Sequence, residues 1–405
     1  MTNAAIMGYG TVGSGVYEAL TLNADLIEKR MGGVRVTRVL DLRDFPGDPA
    51  ESILTHDFND ILNDDSIAVV AEMMGGVGAA YKFTKQLLAR GKSVVSSNKE
   101  LVAKHGAELI ALAAANGVSY LFEASVGGGI PIIRPLTRSL TADAIVDVTG
   151  ILNGTTNYIL SRMTKEGAVY ADVLKDAQAL GYAEADPAAD VEGHDARRKL
   201  AILLSLALGR QVDSEDIETK GISAVTKEDI AYARKLRGVV KLLATGRVEN
   251  GKVRARVAPV VVPKGHPLYT VHDVFNAVFV EGNCVGELMF YGHGAGKLPT
   301  ASAVVGDILE AAQAMREKRT VQLLWSAEKQ SVSSFADVKE KRMFRVKGAH
   351  IPPRKGYGDP IADIAPGEYA MTAPAMTEAE WQAEKTALLQ MPGVEAVFVE
   401  YVILK

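Results

Sequence analysis

Five carboxylates crowd into Glu184–Asp195, inside the stretch GYAEADPAADVEGHDARRK that runs from Gly181 to Lys199. A long apolar run, Leu200 to Leu208, follows at once. Asp195 and Lys199 are four residues apart, so a helix here carries both on one face. A lysine opening a buried helix is costly unless a carboxylate answers it. Such a group suits the handling of a substrate ammonium by carboxylates, with Lys199 as an acid–base group. Desolvation lowers a lysine pKa and carboxylates raise it, so spacing alone leaves its protonation open. A surface i,i+4 salt bridge is the plainer alternative. His194 reads as a loop residue rather than a catalyst, and the acidic spacing does not fit an EF-hand calcium loop.

Lys99, in Ser96-Ser97-Asn98-Lys99-Glu100, is a second cationic candidate. It follows a strand candidate at its carboxyl end, where open α/β sheets bind ligands. A helix-starting Asn98 with a solvated lysine is equally compatible. Gly8-Tyr9-Gly10-Thr11-Val12-Gly13 has the GxGxxG spacing. Its first glycine makes the turn, the second lets backbone approach a pyrophosphate, and the third lets helix pack on strand. The helix start then offers N–H groups to phosphate. A glycine turn that binds nothing is the alternative. Asp41 ends the next apolar segment, where an acid bonds a ribose 2′-OH, while Arg43 suits a 2′-phosphate. The two conflict, so the cofactor is written NAD or NADP, with a slight lean to NAD. Asn153-Gly154-Thr155-Thr156-Asn157 and Gly292-His293-Gly294-Ala295-Gly296 read as backbone devices presenting donors at helix starts.

These residues must be positioned by elements. Short apolar segments at Ala4–Met7, Val34–Leu40, Ile67–Met73, Ser93–Ser96 and Ser119–Glu123 alternate with helical stretches to Arg30, at Ala80–Arg90 and at Leu101–Asn116. That rhythm predicts a parallel sheet covered on both faces. It stops near Gly127-Gly128-Gly129. Beyond lie apolar segments at Ala144–Leu152, Arg254–Val262 and Val274–Phe279, with helical stretches at Asn157–Met163, Tyr170–Leu180, Asp195–Leu208 and Lys227–Leu243. The tail offers a strand at Arg342–Val346, a loop at Ile351–Gly367, a helix at Thr377–Gln390 and a strand at Val394–Leu404. The predicted fold class is α/β. An N-terminal Rossmann-type doubly wound parallel sheet (1–128, with 300–318) is followed by an α+β catalytic and dimerisation domain (129–299). A small C-terminal α+β module (340–405) ends the chain.

The 405 residues include 45 Lys and Arg against 49 Asp and Glu, a net charge of −4. That balance argues against a nucleic-acid-binding surface. With 48% hydrophobic and 23% charged residues the chain reads as globular. Cys284 is the only cysteine, so no intrachain disulfide forms, which fits a reducing compartment. No secretory signal or membrane-length apolar run is read, so a cytoplasmic location is expected.

Together these segments resemble the homoserine dehydrogenase family. The carrying motifs are Gly8–Gly13, SNKE at 97–100, FEASVGGGIP at 122–131, ILNGTTN at 151–157, the Gly181–Lys199 stretch, and Gly294-Ala295-Gly296 with Pro299-Thr300-Ala301. They occur in the family's order and span about three quarters of the chain. The resemblance implies NAD(P)-dependent interconversion of L-homoserine and L-aspartate 4-semialdehyde, in threonine, methionine and isoleucine biosynthesis. It gives Lys199 as proton donor and places Lys99 between nicotinamide and substrate. Glu184, Asp190 and Asp195 then hold substrate, with Asp195 also counted among the catalytic residues, and Gly154, Thr155 and Tyr182 line the site. Gly8, Gly10, Thr11, Val12, Gly13, Asp41, Lys99 and Gly296 are the cofactor-binding positions. Glu123 with the carbonyls of Val126, Gly128 and Ile130 resembles a structural sodium site. A homodimer or higher homo-oligomer is implied.

The tail departs from the resemblance. Many members end in a regulatory ACT domain that senses threonine, and residues 340–405 give no clear ACT pattern. Other functions stay open on residues alone. One is another Rossmann-type amino-acid or semialdehyde dehydrogenase, though the cysteine-dependent kind needs a nucleophile. Cys284 reads instead as a buried small hydrophobe. The other is a non-enzymatic NAD(P) redox sensor, which has no use for Glu184, Asp195 and Lys199 together.

Overall fold

The computed structural model describes residues 1–249, 251–362 and 364–404, with Val399 described by its backbone only. The chain divides into two units. The first comprises residues 1–145, 198–214 and 281–330; the second comprises 146–197, 215–280 and 331–405.

In the first unit, β1 (Thr2–Met7), β2 (Val34–Leu40), β3 (Leu54–Thr55), β4 (Ile67–Glu72), β5 (Ser93–Ser96) and β6 (Tyr120–Leu121) form one sheet. Every pairing in it is parallel and the order is β3-β2-β1-β4-β5-β6. This is the doubly wound order, which reverses direction beside β1. Ala4, Ala5, Ile6 and Met7 are all buried, as a strand covered on both faces requires. Helices α1 (Thr11–Leu22), α2 (Gly78–Ala89) and α3 (Lys99–Ala115) follow β1, β4 and β5. The long helix Lys297–Arg316 returns to this unit, burying Ala301, Val304 and Ile308 against a core that holds Val16, Leu20 and Val69. The helical stretch expected to run unbroken to Arg30 is interrupted at Asn23, with a second helix at Ala24–Met31.

The register sets up the chemistry. Met7 lies level with Leu40 on one side and Glu72 on the other, and Glu72 lies level with Ser96. The carboxyl ends of four strands therefore finish in one row. Gly8 N–H donates to the Leu40 carbonyl at 2.8 Å and Met73 N–H to the Met7 carbonyl at 2.8 Å.

In the second unit, β7 (Ile145–Ile151), β8 (Gly238–Glu249) and β9 (Lys252–Pro263) pair antiparallel, with β10 (Phe275–Gly282) beside β7. The tail supplies β11 (Glu340–Gly348), β12 (Glu368–Met376) and β13 (Val394–Ile403). β13 pairs parallel with β9, Val260 facing Val402, so the tail strands extend the same sheet. Phe344, Tyr369 and Trp381 fill a core beneath them. Arg345, 5% exposed, donates to Asp229 at 2.8 Å and pairs with Glu368, and Tyr401 donates to Asp229 at 3.0 Å. A buried ion pair thus fastens the tail to the helix Lys227–Lys235.

Three expectations change here. The helix expected over Lys227–Leu243 stops at Lys235, and Gly238 begins β8 instead. Arg237 has φ +57, which ends helical propagation. A Cβ on Gly238 would meet Val261 Cγ1 at 2.5 Å. The apolar run Val239–Leu243 suits either period, and twelve pairings with β9 decide for strand. The strand Gly286–His293 was not expected, because its glycines and mixed polarity hid an alternating pattern. β12 was also missed, because Pro374 within it argues against a strand.

Candidate active site

Within the first unit a cavity of about 1070 Å³ opens at the carboxyl ends of the strands. Gly8, Gly10, Asp41, Arg43, His56, Met73, Met74 and Gly75 are among its lining residues. The glycines are there for space. A Cβ on Gly8, which has φ +90, would lie 2.8 Å from the Met73 carbonyl, and one on Gly13 would lie 2.0 Å from the Gly8 carbonyl. Gly10 precedes α1 with no side-chain cap, so no capping side chain takes up the N–H groups that open the helix. A turn stripped of side chains at a helix start is the shape a pyrophosphate needs. Gly296, with φ +121, precedes the helix Lys297–Arg316 in the same uncapped way.

Asp41 and Arg43, read from the sequence as competitors, are partners. Arg43 Nε donates to Asp41 Oδ1 and Nη2 to Oδ2, each at 3.0 Å, and Tyr9 N–H donates to Oδ2 at 2.7 Å. The Arg43 hydrogen bond is the chief reason the Asp41 carboxyl is held down at about 2. His56 Nδ1 lies 2.6 Å from the Asp41 carbonyl oxygen, and that contact raises the imidazole pKa above its ordinary value. His56 is a cavity residue that the sequence did not single out, since a histidine after a two-residue strand carries no motif.

Lys99 is the first residue of α3, half-buried, at the end of β5. Asn98 caps that helix, its Oδ1 accepting from Leu101 N–H at 3.1 Å.

The second unit brings the acids together. Asn153 follows β7 and caps α4 (Gly154–Glu166), its Oδ1 accepting from Thr156 N–H at 2.9 Å. Its amide nitrogen donates to Asp190 Oδ1 at 2.7 Å and to Asp195 Oδ2 at 3.0 Å. Asn153 is 5% and Asp195 3% exposed, so this junction is dry. Thr155 Oγ1 donates to the Tyr182 carbonyl at 2.6 Å, tying the start of α4 to the acidic loop. The Tyr182 ring lies edge-on to Tyr158 at 5.1 Å. Glu184 is exposed, with its carbonyl accepting from Gln178 Nε2 at 3.1 Å. The sequence flagged Asn153 only as a backbone device. Its signal was its place, an asparagine between a strand and Gly-Thr-Thr.

Helix α5 (His194–Leu208) carries Asp195 and Lys199 on one face. Lys199 is 8% exposed, and Leu200 to Leu204 behind it are at most 1% exposed. Asp195 and Lys199 are both buried, so an exposed salt bridge does not describe this pair.

The loop after β6 differs from the expected strand Ser119–Glu123, which ends at Leu121 and turns into a single helical turn at Glu123–Ser125. The Glu123 carboxylate accepts from the N–H groups of Ile132 (2.7 Å), Ile133 (2.8 Å) and Arg134 (2.8 Å). Both its oxygens serve backbone, so this side chain is occupied in the fold. A Cβ at Gly127 would meet the Ile130 carbonyl at 2.4 Å and one at Gly128 the Gly294 carbonyl at 2.3 Å. The Ile130 and Gly294 carbonyls thus lie against this loop's glycines, and because the Glu123 carboxylate is committed to backbone N–H groups, main-chain oxygens are the ligands left for a hard cation here. Cys284 is exposed in a turn, not buried as expected, its N–H donating to Asp143 at 3.0 Å.

Comparison with known proteins gives the family. The profile described as homoserine dehydrogenase matches residues 131–309, and that of its NAD binding domain matches 8–123. The homoserine dehydrogenase of Bacillus subtilis is 44% identical over 316 residues, 77% of this chain and 73% of the relative. A crystal structure of a homoserine dehydrogenase from Thiobacillus denitrificans superposes with a TM-score of 0.88 at 34% identity, covering 100% of this chain and 98% of that one. A hyperthermophilic archaeal homoserine dehydrogenase mutant in complex with NADPH gives 0.66 at 29% identity, over 77% of this chain and 97% of that one. The chain belongs to the homoserine dehydrogenase family, NAD(P)-dependent oxidoreductases that act on a CH–OH group.

Proposed function

We propose that the chain interconverts L-homoserine and L-aspartate 4-semialdehyde, with Lys199 as proton donor and Lys99 set beside the nicotinamide and substrate. The observation that carries this is Asn153, which holds together the carboxylates of Asp190 and Asp195, the latter four residues before Lys199 on α5. Two carboxylates on one donor suit a substrate ammonium. The N–H groups that open α4, at Gly154 and Thr155, suit the substrate carboxylate. Glu184 and Tyr182 complete the lining. When bound, the dinucleotide supplies hydride to the aldehyde carbon or takes it from the alcohol. As negative charge builds on the carbonyl oxygen, a lysine ammonium neutralises it and gives up a proton, and in reverse the amine receives one.

The cofactor positions are Gly8, Gly10, Thr11, Val12, Gly13, Asp41, Lys99 and Gly296, a set supported by the glycine cradle and the cavity beside it. NAD and NADP both fit this reading, since Arg43 neutralises Asp41. A structural sodium would be held at Glu123 with the main-chain carbonyls of Val126, Gly128 and Ile130. Among the described residues no helix is long and apolar enough to cross a membrane, which is compatible with a cytoplasmic homodimer serving threonine, methionine and isoleucine synthesis. The test is a spectrophotometric assay with homoserine, run separately with NAD and NADP. Homoserine-dependent reduction of either is expected, and its absence with a folded chain overturns the reading.

A further inference from the structure

Glu72 ends β4 with none of its surface exposed. It stands in the row of strand ends, level with Met7 and Ser96, and directly precedes Met73, Met74 and Gly75 of the cavity wall. Its Oε1 accepts from Met74 N–H at 2.8 Å and its Oε2 from the Ser96 hydroxyl at 2.6 Å. Ser96 Oγ accepts in turn from Asn98 N–H at 3.0 Å. Asn98 then reaches both ways. Its Nδ2 donates to the carbonyls of Gly76 (2.6 Å) and Met74 (3.3 Å), and its Oδ1 caps the helix that begins at Lys99.

One buried carboxyl thus knots the cavity wall to the helix start that carries Lys99. No step of the reaction uses it. A buried acid with no cation beside it is expensive, and such a group persists where its hydrogen bonds set a geometry.

We propose that Glu72 is a positioning residue for the reaction: as a carboxylate, through Met74, Ser96 and Asn98, it fixes the Met73–Gly75 wall of the cofactor cavity and the placement of Lys99. This rests on the reading of the cavity and of Lys99 given above. The carboxylate accepts from two donors at once. Protonation turns one oxygen into a donor, so the bond from the Ser96 hydroxyl must reverse or break, and the bond from Met74 N–H loses its charge assistance.

Burial pushes the Glu72 carboxyl up to about 7, with Ser96, Met74 and Asn98 pulling the other way. The buried Tyr120 hydroxyl of β6 feels its charge, which raises the phenol pKa further. Among the described residues, no ionised side chain of β1, β5, α2 or the helix Lys297–Arg316 figures in its titration. The group therefore changes charge near neutrality.

The experiment is titration of the intact protein with NADPH on either side of neutral pH, for the wild type, Glu72→Gln and Ser96→Ala. In the wild type, affinity is expected to fall by about tenfold as pH drops through the Glu72 titration, the scale of one hydrogen bond to a charged group. Glu72→Gln is expected to bind at the weaker, acid-side level and to lose that inflection. The cavity residue His56, whose imidazole pKa is raised by its contact with the Asp41 carbonyl, is unchanged in both proteins, so the difference between the profiles belongs to Glu72. Ser96→Ala removes a donor to the carboxylate and is expected to move the inflection to higher pH. It keeps the test decisive if Glu72→Gln does not fold. Wild-type affinity and an unmoved inflection in the variants overturn the proposal. A wild-type chain that binds no NADPH at any pH overturns the reading of the cavity instead.

Discussion

The side-chain amide of Asn153 lies 3.0 Å from the Asp195 carboxylate, at a junction where both residues are buried. The same nitrogen reaches Asp190 at 2.7 Å, while the oxygen of the same amide caps α4. One side chain therefore sets the helix start and the acid pair together.

Asn153→Ala removes that donor from two carboxylates. Each hydrogen bond to a charged group is worth about 1.5–3 kcal/mol, so kcat/KM for homoserine is expected to drop about 10- to 100-fold. NADPH affinity measured in parallel should stay close to wild type. Equal losses in both would show that Asn153 serves folding rather than substrate.

Lys199→Ala is expected to remove the proton donor. General acid catalysis contributes about 10²- to 10⁴-fold, so kcat should fall by that order with cofactor binding largely intact. A variant that keeps near-normal kcat would remove Lys199 from the mechanism.

Asp41→Ala frees the Arg43 guanidinium, whose bonds to Asp41 are 3.0 Å. NAD should then lose more kcat/KM than NADP. Arg43→Ala should shift the ratio the other way. Because Asp41 is held down at about 2, it stays ionised at working pH, and its own titration should not alter the preference. Equal losses with both cofactors in either variant would show that the pair does not discriminate.

Lys241 donates to Asn157 Oδ1 at 2.8 Å and is 2% exposed; burial lowers its pKa to about 7. An unfolded lysine titrates near about 10.4. Between those values the unfolded chain binds the extra proton, so this group makes stability rise with pH there. Below the folded pKa both forms are protonated and the slope vanishes. Lys241→Met should flatten the variant's own profile across that window, so that the wild-type-minus-variant difference in denaturant midpoint rises with pH there. A persistent slope in the variant would assign it elsewhere.

Much was legible in the chain because it is local. The glycine spacing at Gly8–Gly13 and the strand–helix rhythm before Gly127 are short-range facts of backbone space and periodicity. The acid-rich stretch leading into Leu200–Leu208 announced a buried helix with polar residues at its start. The failures were also local ambiguities. Val239–Leu243 satisfies helix and strand alike, and β9 decided. Pro374 disguised β12, and Gly286–His293 lacked apolar weight.

Sequence by itself determined which residue types are available and, outside Val239–Leu243, Gly286–His293 and β12, which element most of them sit on, because turn sterics and side-chain periodicity act over a few positions. Tertiary structure alone decided who meets whom. The register levelled Met7, Leu40, Glu72 and Ser96; Arg43 folded onto Asp41 rather than competing with it; and Asn153 closed on acids 37 and 42 positions away. Those pairings depend on burial, which makes an unmet polar group costly and so selects one partner among many that spacing allows.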